Sequence, residues 1–149
     1  DLYWAGMVHD IGKILVDKKI LNSKTKLSFS EYETVKNHPL WGYEVLNKSD
    51  ELKDISKYIL HHHERYDGTG YPEGLKGEEI PQISRILTVT DSWNTMRTKR
   101  SYKNSMGLEE SIQELIDNKG TQFCPETVDV FIEEILRKES QFEKDKLAK

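Results

Sequence analysis

One cysteine, Cys124, stands in 149 residues, so no internal disulfide can form and a reducing, cytoplasmic setting is expected. No apolar run approaches the length of a membrane-crossing helix, and no signal peptide is recognisable. Positive charge is not in excess either: 22 Lys and Arg face 26 Asp and Glu, a net −4. That balance argues against a general binder of nucleic acid or anionic membrane. A phosphate-bearing substrate would have to be drawn by a local cluster of cations. No segment alternates as a strand and no repeat is visible, which leaves a helical domain. An initiator Met is also missing, and Leu2 already sits in a helical pattern. The expectation is a fragment of a longer protein, with a sensor or receiver domain upstream.

What is present suits one soluble helical domain with a single core, with 36% apolar and 32% charged residues. Residues 2–10 read as the end of a helix that stops near Gly12, and 16–26 as a connector over the surface. Ser28 and Glu31 have the spacing of a capping box and predict the next helix start. That helix is interrupted at Asn37-His38-Pro39, because a proline ring disfavours helical geometry just before it. Helices follow over 41–46 and about 50–66. Residues 67–82 hold Gly68, Gly70, Gly74, Gly77, Pro72 and Pro81 and predict loop. A helix over 83–98 turns Ile86, Leu87 and Trp93 inward. Leu108, Ile112, Leu115 and Ile116 mark a short helix, and Val128, Phe131, Ile132, Ile135 and Leu136 a longer one after Pro125. The domain is expected over 1–138, with 139–149 a charged helical tail.

The residues that carry chemistry are histidines and carboxylates. Leu52, Ile55 and Ile59 repeat at helical spacing, and continuing that stripe lands on His62 and His63. Both imidazoles should therefore face the core, with His61 off that face and at the rim. Adjacent buried histidines are costly unless something uses their nitrogens, and a metal ion is the usual user. His9 and Asp10 end the first helix, His38 sits at the kink, and Asp91 follows Leu87 by four residues on the same face. Singly, each could be a cap, a surface group or a satisfied core residue. Together they aim six ligands from four helical elements at one interior, as a helix-bundle metal site requires. Imidazole and carboxylate without thiolate suits Fe, Mn or Zn. Six ligands exceed one tetrahedral ion, and a carboxylate such as Asp10 can bridge two.

The runs His9-Asp10-Ile11-Gly12-Lys13, His38-Pro39-Leu40-Trp41-Gly42, His62-His63-Glu64-Arg65 and Asp67-Gly68-Thr69-Gly70-Tyr71-Pro72-Glu73-Gly74-Leu75 closely resemble the HD-GYP domains, a branch of the HD phosphohydrolases. The resemblance continues through Gly77 to Pro81, Asp91, Arg100 to Lys103 and Gly120 to Phe123. It implies an all-α HD-type helical bundle with a Gly/Pro-rich loop around Tyr71. It also implies a bacterial phosphodiesterase that hydrolyses cyclic di-GMP to pGpG, and possibly GMP, through a hydroxide bridging two or three divalent metals, most often iron or manganese. His9, Asp10, His38, His62, His63 and Asp91 match the family's metal ligands, with Asp10 at the bridging position. Lys13 matches a lysine near the reacting phosphate, and Arg100 and Lys103 match phosphate-binding cations. Tyr71 matches the loop that shapes the site and meets protein partners, and a homodimer is expected.

Three departures from the family pattern stand out. An upstream Glu or His ligand would precede Asp1. Asn94 replaces a frequent Asp and, on the Asp91 face, becomes a candidate substrate contact. Thr90, Gln82 and Cys124 replace the more usual Ala, Leu and Asp. Two other readings keep the same fold: a non-catalytic cyclic dinucleotide receptor or interaction module, and an HD phosphohydrolase acting on another nucleotide.

Overall fold

A computed structural model describes residues 1–99 and 104–147 of the chain. Its described residues form eight α-helices with short 3-10 turns between them, and no strand beyond one isolated bridge from Lys119 to Phe123. The helices are α1 (Leu2–Val8), α2 (Lys18–Leu21), α3 (Phe29–Val35), α4 (His38–Leu46), α5 (Lys53–Leu60), α6 (Gln82–Arg97), α7 (Leu108–Asp117) and α8 (Pro125–Leu147). The domain is all-α, as its patterning implies.

Two apolar clusters hold these helices, and α6 belongs to both. In one, Ala5, Ile55, Ile59 and Leu87 join α1, α5 and α6. In the other, Val89, Met96, Leu115, Phe123 and Val128 join α6 to α7 and α8, with Trp93 edge-on to Phe131. Burying such side chains stabilises by about 1.5–3 kcal/mol each, so α6 is fixed at both ends of its length. His62, just after Ile59, is tied to α6 by the Thr88 hydroxyl, which donates to its carbonyl at 2.8 Å.

Local chemistry explains most boundaries. Ser28 accepts from the Glu31 amide and Glu31 returns a bond to the Ser28 amide, the expected capping box. The helix starting there stops at Val35, and Pro39 sits in the first turn of α4, where its missing N–H leaves no bond unmade. The connector 16–26 is not wholly irregular. Asp17 accepts from the Lys19 amide and starts the one-turn helix α2.

The phase of the α5 stripe needs correction. The helix ends at Leu60, and His61 to His63 form a turn beyond it. Helical phase therefore stops governing the side chains at the point where it was used to place His61 at the rim. His61 is instead only 8% exposed, and its Nδ1 lies 3.7 Å from Glu64 Oε1. His62, at 1% exposure, and half-buried His63 do turn inward.

Gly12 brings the His9-Asp10 segment against α4. It lies in the 3-10 turn Ile11–Leu15, and a Cβ there would collide with the His38 carbonyl and come within 2.6 Å of the Gly42 amide nitrogen. Neither backbone can yield without moving His38. Gly12→Ala is expected to destabilise the fold by about 3 kcal/mol. Gly6→Ala, whose Cβ would meet only Leu87 Cδ2 at 3.9 Å in mid-helix, is expected to stabilise by about 0.5–1 kcal/mol. Denaturant midpoints of the two variants should move in opposite directions; equal midpoints would refute the close approach.

Candidate metal centre

Four chain segments deliver the predicted ligands to one place. His9 caps the end of α1, and Asp10 opens the 3-10 turn that carries Lys13. His38 is the first residue of α4, His62 and His63 follow α5, and Asp91 lies within α6. Three of the imidazoles are aimed in the same way. His9 Nδ1 donates to the Gly6 carbonyl at 2.7 Å, His38 Nδ1 to the Val35 carbonyl at 2.7 Å, and His62 Nδ1 to the Ile59 carbonyl. A carbonyl only accepts, so Nδ1 carries a proton and each ring turns its Nε2 toward the others.

Those Nε2 atoms converge. His38 Nε2 lies 3.3 Å from His62 Nε2 and 3.3 Å from Asp10 Oδ1. His9 Nε2 is 3.6 Å from Asp10 Oδ2 and 3.7 Å from Asp91 Oδ1. Ligand atoms of His38, His62 and His63 all fall within 4.8 Å of one another. Electron-rich atoms at these separations repel unless a positive charge lies among them. The donor set fits a divalent ion bound by nitrogen and oxygen. Asp10 turns one oxygen to His38 and the other to His9 and Lys13, whose Nζ lies at 2.6 Å.

The electrostatics follow from burial and this crowding. Burial, then the neighbouring His63, pushes the His62 imidazole well below its ordinary value. Burial, then His38, brings His63 down to about 4. Burial alone would raise Asp10, but its His38 and Lys13 contacts outweigh that and hold it well below the usual carboxylate range. Burial would likewise raise Asp91, but its contact with His9 outweighs that and lowers it. The same pair raises His9.

Tyr71 stacks on His63 with ring centres 5.1 Å apart, and the Lys36 ammonium sits 5.1 Å from the centre of the Tyr71 ring. Burial raises the Tyr71 phenol, so it stays a protonated donor. Asn94 is exposed on the wall of the cavity, about 630 Å³, that holds the centre. Arg100 and Lys103 lie outside the described residues.

A family profile described as "HD domain" matches residues 1–127. The chain belongs to the HD domain family. Its motif resemblance to the HD-GYP branch stands with that match, and the HD family is metal-dependent. A "Cyclic di-GMP phosphodiesterase" of Thermotoga maritima is 39% identical over 134 residues, covering 89% of this chain and 36% of the relative. The "Cyclic di-GMP phosphodiesterase response regulator RpfG" of Xanthomonas campestris is 37% identical over 130 residues, 86% of this chain and 34% of the relative. The "3'3'-cGAMP-specific phosphodiesterase 2" of Vibrio cholerae is 37% identical over 131 residues, 87% of this chain and 25% of the relative. The chain thus spans about a third or less of these relatives' lengths. In fold it is similar to a cyclic GMP-AMP phosphodiesterase of V. cholerae, with TM-score 0.63 and 21% identity over 91% of this chain and 37% of that one.

Within this HD domain, sequence reasoning gave Glu64 no role of its own. Glu64 is 1% exposed, and its Oε1 accepts from the Glu73 amide at 2.7 Å and the Gly74 amide at 3.2 Å. It ties the Tyr71 loop to the turn that carries His62 and His63. Gly70 lets the loop pass that turn, since a Cβ there would collide with the Arg65 amide. The available signal was a carboxylate beside the paired histidines and just before a glycine-rich run. Tyr32 and Val35, on the cavity wall, gave no such signal.

The titrations set a pH dependence for the metal-free protein. His62 and His63 are held neutral in the fold but titrate near about 6.5 when unfolded. Between about 6.5 and 4 the unfolded chain therefore binds more protons, and stability falls as pH falls. His9, raised by Asp91, contributes in the opposite sense but is one group against two. Chelator-treated protein should melt at a lower temperature at pH 5 than at pH 7.5. An equal or higher midpoint at pH 5 would refute the neutral pair.

Proposed function

We propose that this domain is a metal-dependent phosphodiesterase that hydrolyses cyclic di-GMP to pGpG, with GMP as a further product. The observation that carries this reading is the set of anchored imidazoles whose Nε2 atoms converge on Asp10 beside the Lys13 ammonium. His9, Asp10, His38, His62, His63 and Asp91 would hold two or three divalent ions, with iron or manganese favoured by the donor set. Such ions supply Lewis acidity at the phosphodiester and acidify water near neutral pH.

The chain's own groups supply the rest. Asp10, kept ionised by His38 and Lys13, presents two oxygens on two sides and suits the position between ions. Lys13 brings a fixed cation to the oxygens on which charge develops as the phosphoester bond breaks. The Tyr71 hydroxyl can donate to substrate, and Asn94 offers an amide from the wall of the same cavity. Arg100 and Lys103 are proposed as further phosphate-binding cations, which the net charge of −4 makes necessary. We place the protein in the cytoplasm as a homodimer, with an upstream sensor or receiver domain and a protein partner at the Tyr71 loop. No described helix is long and apolar enough to cross a membrane.

The Vibrio relative named for 3'3'-cGAMP makes the mixed dinucleotide a second reading, since the bond to be cleaved is the same.

Metal-loaded protein should convert cyclic di-GMP to pGpG, read by chromatography. No product with two or more metals bound per chain would overturn the catalytic reading. Asp10→Asn should lose most bound metal and reduce turnover at least about tenfold, because a neutral amide is a poor bridge between cations. Its circular dichroism should match the parent. Two metals retained with near-normal turnover would remove Asp10 from the bridging position.

A further inference from the structure

Beside the centre, sharing Lys13 with it, lies a second cavity of about 690 Å³. Lys13, Tyr32 and Val35 line both cavities and form the wall between them. The second cavity is built by the connector after the first 3-10 turn, together with α3. Ile20 and Leu21 of α2 and Leu27 give it apolar walls, and Tyr32, 51% exposed, gives it an aromatic one. Ser23 and Thr25 add hydroxyls and Lys26 a cation. The hydroxyl side is ordered by its own bonds: Ser23 Oγ donates to the Thr25 carbonyl at 3.1 Å and accepts from the Thr25 amide at 3.3 Å.

These features describe a ligand that is flat, apolar on its faces, polar along its edges and joined to an anion. A nucleobase attached to a phosphate has that character. In a cyclic dinucleotide the bases project from opposite ends of the phosphodiester ring. In the extended form of the substrate, a phosphate held at the metal centre has one base on each side. The first cavity is lined by Asn94, Thr95 and Met96 among others, and it shares Lys13, Tyr32 and Val35 with the second.

We propose that the cavity formed by Ile20, Leu21, Ser23, Thr25, Leu27 and Tyr32 is the subsite for one purine base of the cyclic dinucleotide, an inference that rests on the proposed phosphodiesterase function. Tyr32 and the aliphatic side chains take the faces of the base, a contact tolerant of sequence. Ser23 and Thr25 hydroxyls meet its edge, and Lys26 offsets charge on the adjoining phosphate. The connector thereby becomes the part of the chain that selects the second nucleoside.

Leu27→Trp fills the cavity, and Thr25→Val removes a hydroxyl at nearly constant volume; neither residue belongs to the metal centre. The metal-loaded protein and both variants are assayed on cyclic di-GMP and on methyl p-nitrophenyl phosphate, a diester with no nucleobase whose single ring is the leaving group, with melting midpoints recorded. Leu27→Trp is expected to lower kcat/KM for cyclic di-GMP at least about tenfold, chiefly through KM, while kcat/KM for the base-free diester stays within about twofold. Thr25→Val should show the same split at smaller size, and carries the test if Leu27→Trp fails to fold. Unchanged kinetics on cyclic di-GMP, or equal losses on both substrates, overturn the subsite. A parent protein that cleaves the base-free diester but not cyclic di-GMP overturns the functional reading itself, and the subsite with it, without any variant being needed.

Discussion

The hydrogen bond from a histidine Nδ1 to the carbonyl three residues earlier recurs at His9, His38 and His62, and the centre depends on it. Each bond uses a carbonyl near the end of a helix, where the backbone has acceptors to spare. It sets the tautomer and fixes the ring plane, and it directs Nε2 away from its own helix. A metal site assembled from separate elements needs its donors held before the ion arrives, because disordered imidazoles would lose that much more entropy on binding. The α1, α3–α4 and α5 segments each contribute one such anchored ring. Helix α6 adds Asp91, 3.7 Å from His9 Nε2.

Much of this was legible because the chemistry sits on strong local signals. The capping box at Ser28, the proline at the start of α4 and the Gly/Pro run after Asp67 each have one dominant local solution. The apolar stripe of α5 showed which way His62 would turn. It misled for His61, since periodicity predicts direction only while the helix lasts and α5 ends one residue earlier. The face of Asp91 was readable from its spacing after Leu87, whereas His9 and His38 were picked out by their motifs. The distances among them were not, because they depend on how α1, α4 and α6 pack.

What remained illegible has a common physical cause. Glu64 is a fully buried carboxylate whose partners are backbone amides, and backbone groups leave no mark on the sequence. The cavity wall at Tyr32 and Val35 arises from where α3 lies relative to the Asp10 turn, a tertiary matter. The connector 16–26 looked idle because its residues are small, polar or basic. Its fold comes from a short cap at Asp17 and the crossed bonds of Ser23 and Thr25.

The candidate ligands are drawn from segments that begin at His9 and end at Asp91, and the only cysteine leaves the chain no covalent crosslink of its own. Ions held among them would tie together α1, α4, α6 and the turn after α5, closing several loops at one centre. That is the work disulfides do in secreted domains, performed here by coordination that forms or dissolves with metal supply. Because ions favour the folded form by mass action, the persistence of this protein in a cell would track the availability of its metal as well as the quality of its core.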